Sequence, residues 1–195
     1  MGAAHEDQLA AADQALRRPR MSIAIAERRV PDRPGLYAVY GSRAVWRELR
    51  LGYRPDGRPL YLGKAERSLV RRDLRQHFMD GKTGWSTLRR SFAALLRESL
   101  RLRGIPRDPL SPGDFDRFGM SSTHDARLTA WMRSRLWIAI WPAPPGARLK
   151  ALEDDLKFAI GSPLNLDNGS RWQEFVRAER RVMADHARGW ASRRQ

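Results

Sequence analysis

Two tyrosines stand in mirrored triplets in the first third of the sequence, Gly35-Leu36-Tyr37 and Tyr61-Leu62-Gly63. Each triplet belongs to a short apolar run that predicts a β-strand, and Asp56-Gly57 is a turn signal before the second run. If the two strands pair as antiparallel neighbours, both phenol hydroxyls can reach one side of the sheet. The two hydroxyls are therefore candidates for a shared site, although packing within a strand also explains Tyr37 taken alone.

Positive charge follows the second triplet directly. Lys64 ends the strand, and Arg71 and Arg72 lie on SLVRRDLRQHF (68–78), which predicts a helix with Ser68 at the N-cap position. A guanidinium is a planar, permanently charged fork that matches phosphate oxygens. A free phenol has a pKa of about 10, and cations beside it favour its ionised form. The charge in this stretch is therefore expected to face both a phosphate and a phenol.

The composition favours a polyanionic partner. The chain has 195 residues and a formal net charge of +15, and only four of its 37 basic residues are Lys. Such an excess of Arg indicates nucleic-acid binding, with a coding bias toward Arg as the alternative. There is no cysteine, which excludes disulfides and Cys-based zinc sites. The apolar run LWIAIW (136–141) is too short to cross a bilayer, and the first twenty residues lack a signal-peptide core. We therefore expect a cytoplasmic or nucleoid-associated protein without membrane attachment.

The order of apolar runs and turn signals predicts an α+β fold, a small antiparallel sheet of about three strands flanked by helices. LWIAIW is the third strand. Residues 1–30 are expected to form an N-terminal helix or tail, of which residues 1–20 are expected to be weakly attached to the rest. Residues 31–170 form the main domain, with a helical insertion at about 80–130, and 171–195 form a basic C-terminal helix. Residues 41–55 are expected to bulge out between the first two strands.

Six features in this order resemble the GIY-YIG nuclease superfamily, which includes homing endonucleases, some restriction enzymes and the incision subunit of bacterial excision repair. They are the two tyrosine triplets, Lys64, the helix Arg, Glu153 on a later helix, and the PLN that ends at Asn165. The resemblance covers roughly residues 33–167. Leu replaces the middle Ile in both triplets, and the gap between them is longer than in compact members. Neither departure removes a polar group that the chemistry needs.

The resemblance implies a metal-dependent endonuclease that hydrolyses phosphodiester bonds in DNA. It implies Tyr37 as the general base, with Tyr61 shaping the site, and Glu153 as the ligand of one Mg²⁺ or Mn²⁺ ion. Arg72 would stabilise the developing negative charge and Lys64 would hold the phosphate. Arg71 is the rival of Arg72, because the helix phase is uncertain by one residue.

Two further residues complete the implied catalytic set. Some members of the superfamily carry a His one turn beyond the Arg, and His77 is the candidate here. It lies five residues past Arg72 rather than four, so a plain surface histidine is the alternative. Asn165 matches the family's Pro-x-Asn ending, and its alternative role is to cap a turn. No organic cofactor is expected.

Other basic residues are expected to contact the phosphate backbone without reading its sequence. They are Arg71, Arg75, Lys82, Arg89, Arg171 and Arg177. The basic tail RWQEFVRAERRVMADHARGWASRRQ is expected to act as a DNA-contacting arm. The alternative function is a non-catalytic nucleic-acid-binding module on the same scaffold, and a third is an accessory protein that binds a partner through the helical insertion. Protein partners and the kind of DNA that is cut stay open.

Overall fold

A four-stranded antiparallel sheet lies at the centre of the fold, with the strand order β1-β4-β2-β3. The strands are β1 (Met21–Ser22), β2 (Gly35–Gly41), β3 (Tyr61–Ala65) and β4 (Leu136–Pro142). The structure, a computed structural model, describes residues 2–17, 20–53, 56–110, 113–166 and 172–193, without the side chains of residues 71–73. The α+β class agrees with the sequence prediction, whereas the sheet has four strands rather than three. β1 escaped prediction because two residues carry no periodic pattern.

Helices cover both faces of the sheet. Among the described residues the α-helices are α1 (Ala3–Arg17), α2 (Ile23–Arg29), α3 (Arg43–Glu48), α4 (Thr87–Leu95), α5 (Ser122–Arg135), α6 (Leu149–Ile160) and α7 (Gln173–Ser192). Alternate residues of β2 enter different cores: Leu36 and Ala38 pack with α1 and α6, whereas Tyr37 and Val39 face the larger core that α4, α5 and α7 complete. None of the described helices has both the length and the apolar character needed to cross a lipid bilayer.

Helix α1 is firmly packed, so the expected weakly attached tail is wrong. Its residues Ala12 and Leu16 are fully buried against the sheet and α6. The Tyr40 hydroxyl donates to the Leu16 carbonyl at 2.6 Å, and the Arg20 guanidinium lies over the Tyr40 ring at 3.9 Å. The sequence did not indicate this attachment because α1 has only a narrow apolar stripe.

The described part of the predicted bulge, residues 41–53, is also better packed than expected. Helix α3 lies within them, begins after the N-cap Ser42, and buries Val45 and Trp46. The aromatic ring of Trp46 contacts that of Trp172 at a centroid distance of 6.2 Å. The stretch therefore forms part of the core beside α7.

The helix predicted for residues 68–78 is largely a π-helical turn, Val70–Arg75. Within the predicted helical insertion, α4 begins after the N-cap Ser86 and ends at Leu95. A 3₁₀ turn, Thr83–Trp85, connects the two segments. The π-helical turn packs against β3, and α4 packs against α7 and the 3₁₀ turn. Together these short elements position the residues described next.

Candidate active site

A cleft of about 650 Å³ lies beside β3, between the segment that follows this strand and helix α6. Four of the predicted site residues, Tyr37, Tyr61, Lys64 and Glu153, belong to its wall. The described residues that line the cleft are Tyr37, Tyr61, Lys64, Glu66, Arg67, Ser68, Gln76, Glu153 and Lys157. The fold thus brings together residues that are more than a hundred positions apart in the sequence.

The two tyrosines face the same side of the sheet from neighbouring strands. In the β2–β3 register, Tyr37 lies opposite Gly63 and Val39 opposite Tyr61. The ring centroids of Tyr37 and Tyr61 are 6.1 Å apart. Tyr37 belongs to the cleft wall although it is fully buried (0% exposed), whereas Tyr61 remains 8% exposed. Tyr61 is therefore the more accessible of the two phenols.

Gly63 is required for this close approach of the rings. A Cβ atom at this position would lie 2.6 Å from the Tyr37 hydroxyl oxygen and 2.9 Å from a ring carbon of Tyr61. Contacts this short are forbidden by van der Waals repulsion, so a side chain at residue 63 would displace the Tyr37 hydroxyl. The absence of a side chain at Gly63 therefore allows the two phenol rings to lie where they do.

His77 connects Tyr37 to the start of helix α4. The Tyr37 hydroxyl oxygen is 2.6 Å from His77 Nε2, and His77 Nδ1 is 2.7 Å from Ser86 Oγ. His77 and Ser86 are both 1% exposed. Ser86 Oγ also accepts a hydrogen bond from the Arg89 main-chain N–H at 3.1 Å. The imidazole is therefore held at both nitrogens, and its orientation is fixed.

The π-helical turn accounts for the unusual spacing between Arg72 and His77. Hydrogen bonds in a π-helix connect residues five apart rather than four, so such a turn contains one more residue than an α-helical turn. Five residues therefore correspond to about one turn here. The side chains of Arg71 and Arg72 lie outside the described residues, so the choice between them stays as the sequence left it.

Glu153 and Lys157 form an ion pair on the opposite wall of the cleft. The two residues are one turn apart on α6, and Lys157 Nζ lies 3.1 Å from Glu153 Oε1. Both are nearly buried, with 6% of Glu153 and 9% of Lys157 exposed. On the β3 side, Lys64 pairs with the exposed Glu66. Together with Arg67, the cleft has three cations and two carboxylates among its described residues, a balance that suits an anionic ligand.

The donor set fits a single hard cation. The described residues contain no group of three or more His, Asp or Glu side chains that could hold a metal ion. Mg²⁺, however, commonly binds proteins through one or two carboxylates, with water and substrate phosphate oxygens as its other ligands. Glu153 offers such a carboxylate at the edge of an open volume. Lys157 lies within ion-pair distance of the same group, so a bound cation would share Glu153 with it.

Asn165 stabilises the free edge of the sheet rather than facing the cleft. Its Nδ2 donates to the Leu62 carbonyl at 2.8 Å, and its Oδ1 accepts from the Leu62 N–H at 2.9 Å. The neighbouring Leu164 N–H donates to the carbonyl of Leu60, the residue just before β3. The Asn165 amide therefore pairs with the edge of β3 in the way a further strand would, and it fixes the strand at Leu62, next to Tyr61.

Arg89 does not contact nucleic acid, and that prediction is wrong. Its side chain is fully buried and lies 3.1 Å from the carboxylate of Asp125. Arg89 also donates to the His77 carbonyl at 2.9 Å and to Thr129 Oγ1 at 2.9 Å. Burial lowers the pKa of the Arg89 guanidinium and Asp125 opposes this shift. The pair supports the segment that holds His77.

The structure describes some, but not all, of the other residues predicted to contact phosphate. Arg75, Lys82 and Arg177 are exposed, and Arg177 donates to the Leu166 carbonyl at 2.9 Å. Arg171 lies outside the described residues. The basic tail is not a free arm, because α7 buries Val176 and Met183 in the core. Only its outer face is available to a ligand.

Sequence reasoning missed Ser86 and Lys157. Lys157 follows Glu153 by four residues on a predicted helix, and this spacing places the two side chains on one face. Ser86 directly precedes helix α4, a position where a Ser hydroxyl normally serves as N-cap, so the sequence gives no sign of a second partner. Its contact with His77 depends on how two short helical segments pack, and no local pattern encodes that.

Comparison with known families gives one match. A family model described as GIY-YIG catalytic domain matches residues 48–180, which is more than half of the chain. The matched range contains Tyr61, Lys64, His77 and Glu153, while Tyr37 on β2 lies just before it. No curated protein and no solved structure matches the chain significantly.

Proposed function

The chain belongs to the GIY-YIG catalytic-domain family, and on this premise we propose that it is a metal-dependent endonuclease that hydrolyses phosphodiester bonds in DNA. The observation that carries the proposal is the shared cleft of Tyr37, Tyr61, Lys64 and Glu153. Phenols, cations and one nearly buried carboxylate on the wall of one open volume are the groups that such a hydrolysis uses.

The reaction adds water across a P–O bond. The water oxygen bonds to phosphorus while the bond from phosphorus to the leaving sugar oxygen breaks, which gives a phosphate monoester and a sugar hydroxyl. The attacking water must lose a proton, and the leaving oxygen must gain one. General acid–base groups that make these transfers contribute about 10²- to 10⁴-fold to the rate.

Tyr37 is the proposed base, and His77 is the residue that makes this role feasible. With a proton on Nδ1, which donates to Ser86 Oγ, His77 Nε2 accepts the hydrogen bond of the Tyr37 hydroxyl. Transfer of that proton to Nε2 leaves a phenolate oxygen that can take the proton of water. Tyr61, which is more accessible, orients the water beside it.

Lys64 and Lys157 bind the phosphate from opposite walls of the cleft, and Lys64 is suited to protonate the leaving oxygen. Arg72 on the π-helical turn is proposed to stabilise the charge that develops on the phosphate. Glu153 would hold one Mg²⁺ or Mn²⁺, which when bound supplies Lewis-acid polarisation of the phosphate. The remaining contacts to DNA come from Arg75, Lys82 and Arg177.

The test is cleavage by purified protein of supercoiled plasmid, linear duplex, forked and single-stranded DNA, each with Mg²⁺, with Mn²⁺ and with a chelator. The proposal expects new 5′ or 3′ phosphate ends that form only with the divalent ion. Binding of the same DNA without any product under every condition would instead support the non-catalytic binding module.

A further inference from the structure

Trp85 is unusually exposed for a tryptophan. It is 62% exposed, more than any of the other six tryptophans of the chain. Large exposed apolar side chains are informative, because burying them normally stabilises a protein. The residue lies in the 3₁₀ turn Thr83–Trp85, directly before Ser86.

The indole is held in place although it faces solvent. The Arg107 guanidinium lies over its ring at 4.5 Å from the centroid. Gly84 makes room for this arrangement, since a Cβ there would lie 2.6 Å from Arg107 Cγ. The buried Arg90 donates to the Gly84 carbonyl at 2.8 Å. We call Gly84, Trp85 and Arg107 the Trp85 platform.

The Trp85 platform adjoins the cleft. Gln76, which lines the cleft, donates through Nε2 to the Trp85 carbonyl at 2.7 Å. On the other side of Trp85, Ser86 contacts His77. The exposed indole therefore belongs to a turn whose main chain is in contact with the wall of the cleft.

Further guanidiniums lie around Arg90, which contacts the Trp85 platform through the Gly84 carbonyl. The pKa of Arg90 is lowered to about 10, chiefly by burial and then by the positive charges of Arg180, Arg117 and Arg107, while Asp114 opposes the shift. Cations that are this close repel one another, and a bound anion would relieve that repulsion.

These arginines continue onto the outer face of α7. A second cleft of about 570 Å³ lies there, lined by Arg177, Arg180, Arg181 and Arg188, with Asp116 and Asp185. Of these, Arg188 is within ion-pair distance of both carboxylates. Charge complementarity along this path favours an extended polyanion over a single small ion.

We propose that the Trp85 platform and the neighbouring arginines form a binding site for an unpaired strand of nucleic acid, in which one base stacks on the indole and the adjoining phosphates contact Arg107, Arg117 and Arg180. An unpaired strand is favoured over a duplex because duplex stacking covers the faces of interior bases, whereas unpaired bases can stack on an aromatic side chain. The inference rests on the proposed function in one respect, that the strand belongs to the substrate of the cleft. It narrows the substrate class to forked, flapped or single-stranded nucleic acid.

The test measures binding without cleavage. Fluorescence anisotropy with a chelator present compares fluorescein-labelled oligothymidylate, a fork and a blunt duplex for the wild type and the Trp85→Ala variant. Loss of one stacked base is expected to weaken binding of oligothymidylate and of the fork by about tenfold or more, with little change for the blunt duplex. Trp85→Phe, which keeps an aromatic ring, is expected to lose less.

Trp137→Ala is the matched control, because Trp137 is the next most exposed tryptophan, at 38%, and lies on β4 away from the cleft lining. It should bind all three ligands as the wild type does. Unchanged binding of oligothymidylate and the fork by Trp85→Ala would overturn the inference, as would an equal loss for the blunt duplex. Equal urea midpoints of the variants establish that folding is not the cause.

The outcome is separable from that of the proposed function. Trp85-dependent binding of single strands by a protein that never cuts would support this inference and remove the endonuclease proposal. Metal-dependent cutting by the wild type, together with unchanged binding of single strands by Trp85→Ala, would support the endonuclease proposal and overturn this inference. Oligouridylate, titrated in parallel, shows whether the site accepts RNA as well as DNA.

Discussion

The hydroxyl of Tyr37 lies 2.6 Å from Nε2 of His77, 40 residues further along the chain. The contact joins a central strand to the end of a π-helical segment, and both residues are buried. A phenol that donates to an imidazole has an acceptor for its proton within the protein. In the proposed mechanism, the Tyr37 hydroxyl can therefore transfer its proton to His77 before it takes a proton from water.

Ser86→Ala should slow cleavage by about 10- to 100-fold, because the hydrogen bond that Ser86 makes to His77 becomes a bond to a charged group once the imidazole holds a second proton. The pH profile of the single-turnover rate should shift with it. The variant also loses the N-cap of α4, which costs about 0.5–2 kcal/mol of stability.

Ser121→Ala separates these two effects. Ser121 caps α5 in the same way, by accepting from the His124 N–H at 3.4 Å, and it does not line the cleft. Its variant should lose similar stability but keep both the rate and the pH profile. If both variants slow cleavage equally, Ser86 acts only through folding.

Gly63→Ala should reduce cleavage by about 100-fold, since a displacement of about 1 Å at a reacting group can have that effect. The new methyl group would lie 2.6 Å from the Tyr37 oxygen, so the hydroxyl must move away from His77. Gly113→Ala, with nothing within 4 Å of its Cβ, should cut like the wild type. Full activity of Gly63→Ala would show that the Tyr37 position is unimportant.

Glu153→Gln should weaken Mn²⁺ binding, measured by electron paramagnetic resonance, by tenfold or more, because the substitution keeps the shape of the side chain and removes its charge. Asp154→Asn on the same helix is the control: Asp154 is exposed and pairs with Lys150. Anisotropy should show that both variants still bind DNA. Equal Mn²⁺ affinity of Glu153→Gln and the wild type would exclude Glu153 as the ligand.

Arg89→Met should destabilise the protein by about 3–5 kcal/mol in urea denaturation, because it leaves the Asp125 carboxylate buried without its guanidinium. Arg133→Met removes a partly exposed pair with Glu27 and should cost at most about 1 kcal/mol. A stable Arg89→Met variant with weakened DNA binding would instead restore the surface role that the sequence suggested.

Much of the site could be read from the sequence because strand pairing and helix periodicity are local patterns. The mirrored triplets placed Tyr37 and Tyr61 on neighbouring strands, and the register bears this geometry out. The rise in positive charge after Gly63 marked the segment beside the cleft. Burial, by contrast, depends on distant packing, and a fully buried Arg89 looks like any other basic residue of a helix in the sequence.

The π-helical turn and the role of Asn165 show a second limit. A sequence read with a period of 3.6 residues places His77 out of phase with Arg72, and only the observed backbone explains the extra residue. Asn165 matched a motif, but its two hydrogen bonds to Leu62 depend on the chain returning to the sheet edge after α6. No local sequence pattern predicts that the chain comes back to the sheet edge in this way.

The most direct measurement of the central claim is the rate at which Tyr37→Phe cuts a DNA that the wild type cuts with Mg²⁺. The substitution keeps the buried ring and removes the hydroxyl that contacts His77 Nε2, so the fold and DNA binding should be retained. We predict a rate at least 100-fold below that of the wild type, with Tyr61→Phe affected less. Cleavage by Tyr37→Phe at the wild-type rate would contradict the proposal that this cleft hydrolyses DNA through Tyr37.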